Sequence, residues 1–159
     1  MPLTFSVLTS LESLESLRLT EHVHGHLGWL AAAALVHPAI VLRNVKRRAH
    51  LAVASSVTLV TLAAALGVLI YGPYRDRLRQ NIFQTAPTYG WLFERKEHLA
   101  FAAVLLAWTG AIAYVGARYA SGDLALTLRK VAFRAYVASA ALALATATLG
   151  TLVAAYRTF

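Results

Sequence analysis

The sequence predicts an all-α integral membrane protein, an up-down bundle of four transmembrane helices. Hydrophobic residues make up 58% of the 159 and charged residues only 14%, and mean hydropathy is +0.59. An ordinary soluble domain is about a quarter charged, and a water-soluble globule of this size cannot hide so much hydrocarbon. The apolar residues fall in four long runs, near the ~20 residues with which a helix crosses a bilayer core. They are rich in Ala, Leu and Val and show none of the alternation of barrel strands.

Residues 1–20 read as an amphipathic N-terminal segment. Leu8, Leu11, Leu14 and Leu17 recur at every third position opposite Glu12 and Glu15, the pattern of a short interfacial helix. A basic start and an apolar core are both missing, so this is not a signal peptide. Residues 21–159 form the four-helix transmembrane domain. Its first run spans 26–42, its helix extending upstream through Gly25 toward Glu21, and Pro38 predicts a local kink. The second run spans 50–71, the third 98–117 and the fourth 131–156. Short links at 43–48 and 118–130 make the first and last pairs antiparallel neighbours. Residues 72–97 read as a long loop, with Pro87, Tyr89, Gly90 and Trp91, lying on the membrane surface or against a partner. Ser139, Ala143, Ala147 and Thr151 form a small-residue stripe, and Gly67, Gly110, Gly116 and Gly150 also permit close approach. Trp29, Trp91, Tyr71, Tyr74 and Tyr89 are placed to anchor the bundle in the headgroups, and Trp108 faces core or lipid.

The net charge of +8 does not indicate nucleic acid, because the basic residues sit between apolar runs and no recognition motif accompanies them. One face carries Arg43, Lys46, Arg47, Arg48, Arg118, Arg129, Lys130 and the nearby Arg134. The other carries Arg18, Arg75, Arg77, Arg79, Arg95, Lys96 and Arg157. The dense RNVKRR turn favours the first face as cytoplasmic, with both termini outside a bacterial inner membrane. The chain has no Cys, which excludes disulfides, thiolate metal sites, Fe–S clusters and a Cys nucleophile. GxSxG, P-loop, GxGxxG and HExxH motifs are missing, so no independent catalytic activity is predicted. Most of the acids lie outside the apolar runs, which argues against a carboxylate proton relay.

The six histidines carry the functional signal. His22, His24, His26, His37, His50 and His98 all lie at or inside the ends of apolar runs, where an unpartnered imidazole costs free energy. His26 opens the first helix and His98 the third, on the same side of the membrane. Those helices are diagonal in an up-down bundle, so the two imidazoles are expected to meet across the core and hold one haem b iron. His37 follows His26 by eleven residues, close to three turns or roughly 16 Å, and so shares its face, taken as the interior seam. His50, just past the turn, comes within about one helical turn of the depth of His37 and gives a possible second pair.

This layout resembles the four-helix b-type cytochromes of respiratory membranes, on His26, His37, His50 and His98. The resemblance implies a haem-anchoring subunit of an oxidoreductase complex. Such a subunit binds one haem b or two and exchanges electrons with quinone in the bilayer or with a partner redox protein. Arg75, Arg77 and Arg79 are candidates to pair with haem propionates. Three alternatives stand beside haem. The histidines can serve only as hydrogen-bonding groups in a non-enzymatic scaffold subunit of a larger membrane complex. The EHVHGH stretch, with Glu21, His22, His24 and His26 and with Glu97 and His98 as supplements, can bind copper or zinc. Against copper, Met1 is the one Met and soft ligands are lacking. Ala33, four residues before His37, leaves room for a pigment macrocycle.

Overall fold

The computed structural model describes residues 14–44 and 47–156. Within them the fold is all-helical, with four long helices and no strand: α1 (Leu14–Val41), α2 (His50–Tyr74), α4 (Pro87–Gly116) and α5 (Gly122–Tyr156), with a short α3 (Gln80–Thr85) between α2 and α4. Three helical stretches are long and apolar enough to cross a membrane: His50–Thr85, Pro87–Gly116 and Gly122–Tyr156. The 28 residues of α1 give about 42 Å of helix, also a sufficient length. Its histidines dilute its apolarity. Leu8, Leu11, Glu12, Lys46 and Arg157 lie outside the described residues, whereas Leu17 is buried at the start of α1 and Glu15 is exposed.

Helix α1 includes Pro38, which is buried. One element differs from the expectation: residues 72–97 are almost wholly helical instead of a loop. Pro73 lies in the last turn of α2, which runs into a π-helical turn at Arg75–Arg79 and then α3. The chain breaks only at Ala86, whose φ of −151° and ψ of 72° lie outside the α region, which a following proline disfavours. Pro87 then opens α4, because the first helical turn needs no N–H from it. Gly90 lets α3 fold back on α4: a Cβ there would lie 2.8 Å from the Phe83 ring. Outside this corner Arg79 pairs with Glu94 at 2.8 Å.

The helices pack in a ring, α1 on α2, α2 on α4, α4 on α5 and α5 on α1, so α1 and α4 are diagonal as up-down connectivity requires. The core is built of small side chains, among them Ala31 and Ala32 of α1, Ala103 and Ala107 of α4, and Ala132, Ala140 and Ala143 of α5. Small residues bring backbones close, which in lipid supplies the dispersion contact that a hydrophobic effect cannot. Ser139, fully buried, donates to the Ala103 carbonyl at 2.7 Å, and Gly110 makes room for the buried Tyr136 ring. The small-residue stripe of α5 thus faces inward at Ser139 and Ala143, while Thr151 reaches the surface and accepts a hydrogen bond from Trp29.

Candidate functional site

At 100° per residue, α1 sorts its histidines onto two faces. Leu17, Ala31, Leu35 and Leu42 mark the buried face. His24 lies on that face, half-buried, with its Nδ1 3.0 Å from the Ala63 carbonyl of α2. That carbonyl can only accept, so Nδ1 carries the proton and Nε2 stays open. The His24 ring lies against Gly67, where a Cβ would come within 3.0 Å of it. His22, His26 and His37 lie on the opposite, exposed face together with Ala33 and Ile40. The eleven-residue spacing therefore does align His26 with His37, but on the outside of the bundle, where no interior seam runs.

Helix α4 repeats the pattern. His98 is exposed, with Nδ1 2.7 Å from the Glu94 carbonyl, and His26 likewise holds Nδ1 2.8 Å from the His22 carbonyl. Since α1 and α4 are diagonal, their exposed faces point away from each other, and His26 and His98 are not brought together. The inner positions at this level belong to residues two places upstream, His24 and Lys96. Lys96 is half-buried, its Nζ 4.2 Å from the centroid of the Phe93 ring, and the carboxylates acting on it are Glu97 and Glu21. Phe93 stacks on Tyr74 at 3.6 Å and 13°. Glu21 of α1 and Glu97 of α4 are themselves half-buried. Periodicity measured from Ala103 and Ala107 places Lys96 inward, a signal masked by its charge and its place among the charged residues of FERKE.

At the other end of the bundle, His37 and His50 lie beside one open groove. Both line this groove of about 270 Å³ beside the α1–α2 turn, with Val41, Arg48, Leu51 and Ala52. The Tyr114 hydroxyl accepts from the Ala49 N–H at 2.7 Å and lies 3.3 Å from Nδ1 of His50, whose ring meets it edge-on. In the tautomer where Nδ1–H donates to the Tyr114 oxygen, the ring orientation is fixed and Nε2 is the available nitrogen, the usual arrangement of a ligating imidazole. Arg75, Arg77 and Arg79 lie at the opposite end, Arg79 already paired with Glu94, so the guanidinium nearest this groove is Arg48.

Among the described residues, no group of three or more His, Asp or Glu is placed to hold a metal ion. The EHVHGH segment is helical, which turns His24 inward and leaves His22 and His26 outside. Trp108 is exposed on the outer surface of α4 and not in the core, its indole N–H donating to Thr61 at 3.2 Å. No family model, curated protein or solved structure matches the chain.

The division of α1 into two faces is directly measurable, because a chain without Cys accepts single-cysteine labels. Nitroxides at His26→Cys and His37→Cys are expected to relax strongly with oxygen dissolved in the bilayer, and one at Ala32→Cys to be shielded. Equal relaxation at the three positions would contradict the packing of α1.

Proposed function

We propose that the chain is a membrane electron-transfer subunit with four crossings, binding haem b through histidine and belonging to a larger redox complex. One observation carries the reading: His37 and His50, on two different helices, line one groove with Arg48 at its edge. Two neutral imidazoles are the donor set of a low-spin b-type haem, and Arg48 is suited to a propionate. When bound, haem supplies one-electron chemistry. The chain's own part is to orient His50 through Tyr114 and to keep the basic end near the membrane surface.

Haem between His26 and His98 across the core has no such support, because both imidazoles turn outward. They bear on partnership instead. His26 and His37 lie on a face that lipid would otherwise cover, and an imidazole facing hydrocarbon is costly. A neighbouring subunit whose polar groups meet Nε2 of His26 removes that cost there, while His37 is engaged in the groove with His50. Electrons then pass to quinone in the bilayer or to a docked redox protein. The basic α1–α2 turn favours a cytoplasmic position for that end and both termini on the opposite side of a bacterial inner membrane.

The test is the absorption spectrum of the full chain produced with haem supplied. A reducible Soret and α-band is expected, and it should be lost in His50→Leu and His37→Leu but kept in His24→Gln. A colourless protein, or a spectrum indifferent to both leucine variants, would sink the groove assignment in favour of a scaffold subunit whose histidines only form hydrogen bonds. Stoichiometric zinc or copper without haem would select the metal-handling alternative.

A further inference from the structure

We propose that the basic end of the bundle holds an anionic phospholipid, its phosphate seated in a groove between the last turn of α1 and the turn that follows. The site uses neither His37 nor His50, so it is independent of the haem reading.

The groove, open and of about 340 Å³, is lined by Ile40, Val41, Arg43, Asn44 and Arg47. Arg43 and Arg47 are exposed, and neither guanidinium has a carboxylate partner among the described residues. A third guanidinium comes from α5: Arg129 donates from Nη1 to the Arg47 carbonyl at 3.4 Å, which ties it to the same turn. The planar fork of a guanidinium matches two oxygens of a phosphate. The C-terminal end of a helix is ordinarily a poor place for an anion, because its last carbonyls are unpaired and carry the negative end of the dipole. Here the carbonyls of Pro38, Ile40 and Val41 accept from the N–H groups of Leu42, Arg43 and Asn44, so these oxygens are already satisfied.

Charge at this end is one-sided. Arg48, Arg118 and Lys130 join the three arginines, and among the described residues the one carboxylate in the same segments is Asp123, in the first turn of α5. Each of the three apolar spans has an end at this level, at His50, Gly116 and Gly122. The cations therefore stand at headgroup depth, where an anionic leaflet concentrates phosphate. The groove also offers hydrocarbon. Ile40, on the outer face of α1, is 60% exposed. Val41 lines this groove and the neighbouring one, which Leu51, 86% exposed, lines as well. A free phosphate would leave that surface bare, whereas the acyl chains of a lipid cover it while its phosphate reaches the arginines. A diffuse basic surface would attract lipid in proportion to total charge; a groove makes the attraction depend on Arg43 and Arg47.

The test is native mass spectrometry of the detergent-purified full chain titrated with dioleoyl phosphatidylglycerol. One lipid adduct is expected to saturate first, at about tenfold lower concentration than with dioleoyl phosphatidylcholine, whose choline cation offsets the phosphate charge. Arg43→Gln combined with Arg47→Gln should weaken that adduct about tenfold. Arg118→Gln combined with Lys130→Gln removes the same charge from exposed positions outside the groove, and should weaken it by less than about twofold. The replaced side chains are all exposed, so thermal midpoints should not move; the comparison of the two lipids on the unaltered chain holds in any case. Equal losses in the two double variants would mean diffuse surface charge and overturn the proposal, as would equal binding of the two lipids. Displacement of the lipid by equimolar inorganic phosphate would overturn it too, because the groove would then be a site for a soluble anion.

Discussion

Gly110→Ala is expected to destabilise the bundle by about 1–3 kcal/mol, the usual cost of forcing a methyl group into a filled core. A Cβ at Gly110 would lie 2.9 Å from two atoms of the Tyr136 ring and 3.4 Å from the Ala132 carbonyl. Tyr136 is fully buried and cannot swing into solvent, so the clash must be met by separating α4 from α5. That interface is the most extensive in the bundle, and separation would also lengthen the Ser139 bond to Ala103. In water an Ala for a helical Gly returns about 1 kcal/mol of propensity. In a bilayer the dissociated helices remain helical, because lipid offers their backbone no other partners, so that gain largely cancels. Gly116→Ala is the matched control: its Cβ would meet only Leu128 Cδ1, at an ordinary 3.6 Å. Unfolding in a denaturing-detergent titration should shift for Gly110→Ala and hardly move for Gly116→Ala. Equal curves would contradict the close α4–α5 approach.

The contrast between these glycines shows what was legible in the sequence. Both were readable as points of close approach, but only the fold says that Tyr136 covers one and a flexible Leu128 touches the other. The same division runs through the candidate site. Helical character and the diagonal relation of α1 and α4 follow from run lengths and up-down order. Which face of α1 turns inward does not follow from the spacing of His26 and His37, because a common face can be the outer one. The decisive signal is the stripe of Leu17, Ala31, Leu35 and Leu42, whose period includes His24 and excludes both. Histidine is a poor guide to that orientation, being polar enough for an interface and apolar enough for a core. The helical course of residues 72–97 is hidden in the sequence for another reason. Its Pro, Gly and charges are loop signals in most settings, yet Pro87 stands at the one helical position that favours it, and Gly90 is needed for packing.

That corner gives the second large effect. Gly90→Leu is expected to lift α3 off α4, because even its Cβ would lie 2.8, 2.9 and 3.0 Å from three atoms of the Phe83 ring. Phe83 has little freedom to retreat: its ring meets Trp91 edge-on at 5.6 Å, and the Arg79 guanidinium lies 5.0 Å from its centroid. Displacing Phe83 draws Arg79 away from Glu94 and breaks the 2.8 Å bond that closes the corner from outside. The ion pair itself contributes little at so exposed a place; the packing of Phe83 on Gly90 is the larger factor. Trypsin reports the opening, since Arg75, Arg77 and Arg79 sit in the π-helical turn just before α3. Overpacking of this size corresponds to cleavage faster by about tenfold or more. Phe83→Ala in the same chain removes the obstructing ring and should restore much of the protection, although Phe83→Ala alone exposes the turn by loss of packing. Such mutual rescue identifies a direct contact, as independent sites would simply add. If the double variant were cut at least as fast as Gly90→Leu, α3 would not be held on α4 through these two residues.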